Sequence, residues 1–347
     1  MTVYAADTVA GALARGADDA PAIGMPQSLE GARPWLTHGA LRALTSRTVS
    51  DLNRMGIGRN DRVAIVLPNG PEMATSFLSV ACAATTAPLN PGYRRDEFEF
   101  YLSDLHARAL VILRGMDSPA REVAAAHNIP VIELVPDASA AGAFTLVPEQ
   151  PLTGTPAHPG PAEAQDVALV LHTSGTTSRP KIVPLRHINV TASAYHIGET
   201  LALTPADTCL NIMPLFHIHG LIAAVLSSMA AGASTVCTPG FNAFRFFTWF
   251  GDAKPTWYTA VPTMHQAILG LAGRNKAVIE ASRLRFIRSS SSSLPPQVMT
   301  AMEEAFGVPV IEAYGMTEAS HQMCCNPLPP RKHLAGSVGL AAGPEEI

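Results

Sequence analysis

Short apolar runs alternate along this chain with longer stretches whose apolar positions recur every three or four residues. Strands are expected at 62–67, 110–113 and 131–134, with helices at 71–84, 96–107 and 120–128 between and around them. The theme returns later: Pro296 opens a helix carrying Val298, Met302 and Phe306 on one face, Gly307 stops it, and a strand follows at 308–311. Alternation of this kind predicts parallel βα units, hence an α/β fold of two layered lobes. Residues 148–166 are crowded with Pro, Gly and polar side chains and read as the connection, which puts the lobes at about 1–160 and 161–347. The apolar stretch 221–236 is too short and too rich in Ala, Ser and Gly to span a bilayer, and reads as a buried helix running into a strand.

Composition narrows the function classes. With 24 basic and 28 acidic side chains the chain offers no electrostatic argument for nucleic acid or an anionic membrane, so any anion site must be built locally. Cys82, Cys209, Cys237, Cys324 and Cys325 form no CxxC pair, which favours reduced thiols and a cytoplasmic setting over a disulfide frame or a zinc site. No basic segment followed by an apolar run opens the chain, so no secretory signal is expected.

The chemistry concentrates after the apolar run 167–171, in His172-Thr173-Ser174-Gly175-Thr176-Thr177-Ser178-Arg179-Pro180-Lys181. Small side chains let backbone amides approach anionic oxygens, hydroxyls add donors, and Lys181 adds a point charge. The spacing is not that of a Walker A loop, because Gly175 is followed by Pro180-Lys181-Ile182 rather than by Gly-Lys-Ser/Thr. Two further segments stand out downstream: Pro214-Leu215-Phe216-His217-Ile218-His219-Gly220, and Glu312-Ala313-Tyr314-Gly315-Met316-Thr317-Glu318. In an open α/β sheet, loops at strand ends converge on one crevice, so the hydroxyl loop and the 314–318 turn are expected to face each other. Read as extended chain, Phe216-His217-Ile218-His219 lets only one imidazole face a given side.

These three segments, in this order and spacing, resemble the acyl-adenylate-forming superfamily of acyl-CoA synthetases, luciferases and peptide-synthetase adenylation domains. The wording of 178–181, 256–263, 286–289 and 316–321 is most similar to oxalate-CoA ligases. The resemblance implies the α/β N-terminal domain of such an enzyme. ATP, Mg²⁺ and coenzyme A would be its cofactors and co-substrates, and a small carboxylic acid its partner. Thr173, Ser174, Gly175, Thr176, Thr177 and Lys181 would clasp the terminal phosphates, Thr317 the α-phosphate and Glu318 the metal, while Glu312, Ala313 and Tyr314 would face the adenine. His217 would point at the acyl site, with His219 structural and His321 on the face of Glu318 if a helical turn follows. Family glycines are replaced by Ser178 and Ile182, and a β-branched residue at positive φ would strain the loop. The serines at 289–293 would line the acyl pocket, Ser291 and Ser292 foremost, and their polarity suits the second carboxylate of oxalate. A medium-chain or aromatic acid is the alternative substrate, and a non-catalytic nucleotide or acyl binder the alternative class. The family's ribose-binding Asp, hinge and mobile Lys-bearing domain would lie beyond Ile347, so the chain is expected to act as a fragment.

Overall fold

The computed structural model describes residues 6–173 and 180–343. The expected elements form with small shifts at their ends: strands Arg62–Val66, Ala109–Leu113 and Val131–Pro136, and helices Pro71–Ala81, Arg95–Leu105 and Pro119–Ala126. Local signals set those ends. Ser118 accepts a hydrogen bond from the Ala120 amide at 3.2 Å, and left-handed His106 stops the helix before it. The helix Pro296–Phe306 opens on proline and ends at Gly307 with φ 67°, as its sequence predicts.

Among the described residues the strands form two sheets. One runs Phe144–Pro148, Val131–Pro136, Ala109–Leu113, Arg62–Val66, Thr85–Pro88, Val167–Thr173, Lys181–Arg186, parallel except at its two edges. The other has a parallel centre of Pro21–Gly24, Ser234–Cys237, Thr208–Asn211, Trp257–Ala260, Phe286–Ser289 and Val310–Met316, with antiparallel strands at both ends. The sheets interleave along the sequence. Pro21–Gly24 belongs to the second sheet and Val167–Thr173 to the first, so the expected division near residue 160 marks a connection rather than a boundary between sheets.

A helical layer lies between the sheets. Helix Pro71–Ala81 packs on strands of both and is buried at nearly every position. Beside it the segment expected as one buried helix divides into a π-helix, His219–Leu226, and a short α-helix, Ser227–Ala230, before strand Ser234–Cys237. Further helices cover the outer faces: Arg95–Leu105 and Pro119–Ala126 on the first sheet, Ala243–Ala253, Pro262–Ala272 and Pro296–Phe306 on the second. No helix among the described residues is long and apolar enough to cross a membrane.

Candidate active site

Strand Val167–Thr173 delivers the hydroxyl loop, and Lys181–Arg186 returns antiparallel with Thr173 opposite Lys181 and His172 opposite Ile182. Ser174, Gly175, Thr176, Thr177 and Ser178 lie outside the described residues. Ile182 does not take the positive φ expected of it. It sits in the ladder, where a β-branched side chain is favoured, so the anticipated strain is absent.

Strand Val310–Met316 runs further than its apolar pattern suggests, because the antiparallel strand His321–Cys325 extends the ladder beyond Ile311. A 3₁₀ turn, Thr317–Ala319, then reverses the chain through left-handed Ser320 and through His321 at φ 101°. Gly315 is required here: a Cβ would lie 1.6 Å from the His321 carbonyl oxygen. The reversal replaces the helical turn that would have put His321 on the face of Glu318. Thr173 Oγ1 donates to Glu318 Oε1 at 3.2 Å, so the two strand ends meet as expected.

Side chains along Glu312-Ala313-Tyr314 alternate. Tyr314 is half exposed, whereas Ala313 is buried in the core between the sheets and cannot present its side chain to a base. Glu312 is also buried, and its Oε1 accepts from the Leu294 amide at 2.8 Å while Oε2 has no protein partner. Burial raises its pKa. It anchors the far end of the serine turn.

The segment 214–219 is not extended. It turns at 215–217, and His219 starts the π-helix, with Gly220 so close to the Pro214 carbonyl that a Cβ would lie 2.4 Å from its oxygen. Strand alternation therefore does not separate the two histidines: His217 is exposed at the rim and His219, expected to be structural, is buried in the polar centre. His219 Nδ1 pairs with Ser291 Oγ at 2.9 Å and Nε2 with Thr259 Oγ1 at 2.6 Å. The His321 ring stacks on it, with centroids 5.0 Å apart. Ser291 adopts φ 72° to reach this position, while Ser292 is exposed and takes no part in the cluster. Ser289 and Ser290 are buried, their hydroxyls unpartnered.

Behind the stacked imidazoles lies Arg288, fully buried at the centre of strand Phe286–Ser289. Its Nη1 donates to Thr259 Oγ1 at 3.3 Å and reaches His219 Nε2 at 3.4 Å. Nη2 donates to Gln322 Oε1 at 3.0 Å and reaches His321 Nε2 at 3.3 Å. Among the described residues no carboxylate pairs with it, and Nε has no partner. Burial lowers its pKa only to about 10, so it stays cationic. The same burial, together with the Arg288 charge, holds His219 and His321 well below the usual histidine range and therefore neutral. A cavity of about 380 Å³ opens in front of this cluster, walled by His172, Phe216, His217, His219, Ser291, His321 and the turn Gly315-Met316-Thr317.

A family model described as AMP-binding enzyme matches residues 12–347. The chain belongs to the AMP-binding enzyme family. It is 43% identical to the oxalate–CoA ligase of Arabidopsis thaliana over 89% of its own length and 61% of that protein's. It is 39% identical to the oxalate–CoA ligase of Saccharomyces cerevisiae, over 82% of the chain and 56% of that protein. Its fold superposes on ATP-bound MatB from Rhodopseudomonas palustris with a TM-score of 0.80 at 25% identity, covering 97% of this chain and 64% of that one. The chain thus spans about three-fifths of the length of the relatives it matches.

In this AMP-binding enzyme the structure brings together Thr173, Glu318, Thr317, His217, Ser291 and His321, with Lys181 opposite Thr173 at the mouth of the loop. Sequence reasoning passed over Arg288. The signal was present, since Phe286-Ile287-Arg288-Ser289 puts an arginine inside a strand of the parallel centre, where every side chain is covered and a charge is costly.

Proposed function

We propose that this chain is the nucleotide- and acid-binding part of an ATP-dependent acid–CoA ligase. It adenylates a small dicarboxylate, oxalate, and the acyl group then passes to coenzyme A. The observation that carries the reading is Arg288: a buried cation without an acidic partner, behind two neutral imidazoles and the Ser291 hydroxyl, beside the cavity that Thr317 also lines. Such a wall favours an anion, because an incoming carboxylate supplies the missing countercharge in a setting where charge–charge attraction is weakly screened. The spectator carboxylate of oxalate fits that role, and the names of the two ligase relatives support it. A medium-chain or aromatic acid would use the apolar side of the same cavity, at Leu171, Met213, Phe216 and Val261, and leave Arg288 without a countercharge.

The reacting carboxylate is directed toward the strand ends. Lys181 and the hydroxyl loop draw charge from the β and γ phosphates, Thr317 contacts the α-phosphate, and Tyr314 stacks on the adenine. Mg²⁺ fits at Glu318. One exposed carboxylate beside the Thr173 hydroxyl suits a hard cation that takes its other ligands from phosphate and water. Among the described residues no group of three or more acids, histidines or cysteines forms a metal cage, which a phosphate-bridging ion does not need. When bound, it would neutralise charge on the phosphates. Pyrophosphate release by the complete protein, measured across a panel of acids with ATP and Mg²⁺, tests the proposal: oxalate should be fastest. Faster turnover of hexanoate or benzoate would overturn the dicarboxylate assignment.

A further inference from the structure

Four imidazoles, those of His172, His217, His219 and His321, line one cavity, and their surroundings are not equivalent. His219 uses both ring nitrogens within the protein, and its Nε2 lies 3.4 Å from Arg288. His321 directs Nε2 to the same guanidinium at 3.3 Å. A fixed cation at this range opposes protonation of either ring. His217 is exposed and has no carboxylate partner among the described residues. His172 alone of the four faces a carboxylate: its Nε2 donates to Asp104 Oδ2 at 3.0 Å, from the end of strand Val167–Thr173 to helix Arg95–Leu105.

That bond fixes the tautomer. With the proton on Nε2, Nδ1 carries the lone pair, and it has no hydrogen-bond partner among the described residues. The Tyr101 ring meets the imidazole edge-on at 4.7 Å and Phe100 at 6.1 Å, so its orientation is held by packing as well as by Asp104. A base oriented by a carboxylate, almost wholly buried yet part of the lining of a shared cavity, is an arrangement suited to proton transfer.

We propose that His172, positioned by Asp104, is the general base that takes the thiol proton of the second substrate when the acyl group leaves the adenylate. The inference rests on the ligase reading above. In the step, the S–H proton passes to His172 Nδ1 and a C–S bond forms at the acyl carbonyl carbon. The bond from that carbon to the phosphate oxygen then breaks, and AMP departs with the electron pair. The imidazolium so formed is stabilised by Asp104. Burial and the more distant Arg62 hold the free imidazole below the ordinary histidine pKa despite Asp104, so it is unprotonated and ready at neutral pH.

The two half-reactions separate this role from a structural one. In the complete protein, ATP–pyrophosphate exchange without thiol reads adenylation, and single-turnover AMP release on adding coenzyme A to the preformed adenylate reads the thiol step. General-base loss predicts that His172→Gln slows the thiol step about a hundredfold or more, at least about tenfold beyond whatever loss its place in the cavity wall causes in exchange. Asp104→Asn, at a half-exposed position, should also slow the thiol step. Because the carboxylate favours the imidazolium, its loss should move the acid limb of that step's pH profile to lower pH. Equal losses in both half-reactions, an unchanged thiol step in His172→Gln, or an unmoved acid limb in Asp104→Asn would each overturn the assignment. A wild-type protein that exchanges pyrophosphate with no acid would instead sink the ligase reading, and this inference with it.

Discussion

His219 and His321 stack with their ring planes 27° apart, and the Arg288 guanidinium bridges them from behind, one terminal nitrogen toward each ring. This relationship concentrates one positive charge and two neutral rings at the back of the candidate acid pocket. It also leaves a fully buried charge with no carboxylate partner among the described residues, which carries a desolvation cost.

Arg288→Met should test that cost. Replacing a buried, unpaired charge by an apolar side chain of similar length removes a desolvation penalty and leaves Gln322 and the imidazoles short of a donor. The free energy of unfolding is therefore expected to stay within about 1 kcal/mol of wild type. A loss several times larger, measured by urea titration, would show that Arg288 is a structural keystone rather than a functional charge.

Stability should fall as pH drops below neutral. His187 and His265 are buried with pKa values lowered to about 4, and burial holds His219 and His321 well below the usual histidine range too. A depressed histidine pKa means the unfolded chain binds protons the folded one refuses. The stabilisation is complete above the unfolded value near 6.5 and is lost progressively as pH falls toward the folded value, by up to about 1.4 kcal/mol per histidine per pH unit. Denaturant midpoints that do not change between pH values of about 7 and 5 would contradict this.

Much of the scaffold was legible because a covered strand must be apolar and its helices must show one or two buried faces. Arg62–Val66 and Pro296–Phe306 follow directly from that rule. Long-range pairing was not legible. The ladder from His321–Cys325 prolongs Val310–Met316, and Pro21–Gly24 crosses to the second sheet, neither of which leaves a local periodic trace. The candidate site followed the same division. Thr173 and Glu318 could be expected to meet because both sit at strand ends, whereas the way His217 and His219 part company, one at the rim and one buried, depends on a turn tightened at Gly220 that strand alternation does not describe.

Gly315→Ala should be severe. The new methyl would collide with the His321 carbonyl, which belongs to backbone rather than to a movable side chain, so the antiparallel pair must separate or the turn must shift. A destabilisation of about 3 kcal/mol or more is expected, in line with strain at a special backbone position. A melting temperature indistinguishable from wild type would show that the turn has more room than its geometry indicates.

Glu318→Gln preserves an acceptor for Thr173 while removing the charge offered to Mg²⁺. ATP affinity measured by calorimetry should lose its dependence on Mg²⁺, with little change in the affinity measured without the metal. If both proteins respond to Mg²⁺ alike, the ion is held elsewhere.

On the proposed reading, the Arg288-backed wall selects a second carboxylate. The most direct measurement is the ratio of kcat/KM for oxalate to that for hexanoate, in the complete wild-type protein and in Arg288→Met. Arg288 acts on the carboxylate across the imidazole layer rather than by direct contact, so the wild-type preference for oxalate should shrink by about tenfold or more in the variant, with the KM for ATP nearly unchanged. A ratio that Arg288→Met leaves unaltered, or a wild type that prefers hexanoate, would contradict it.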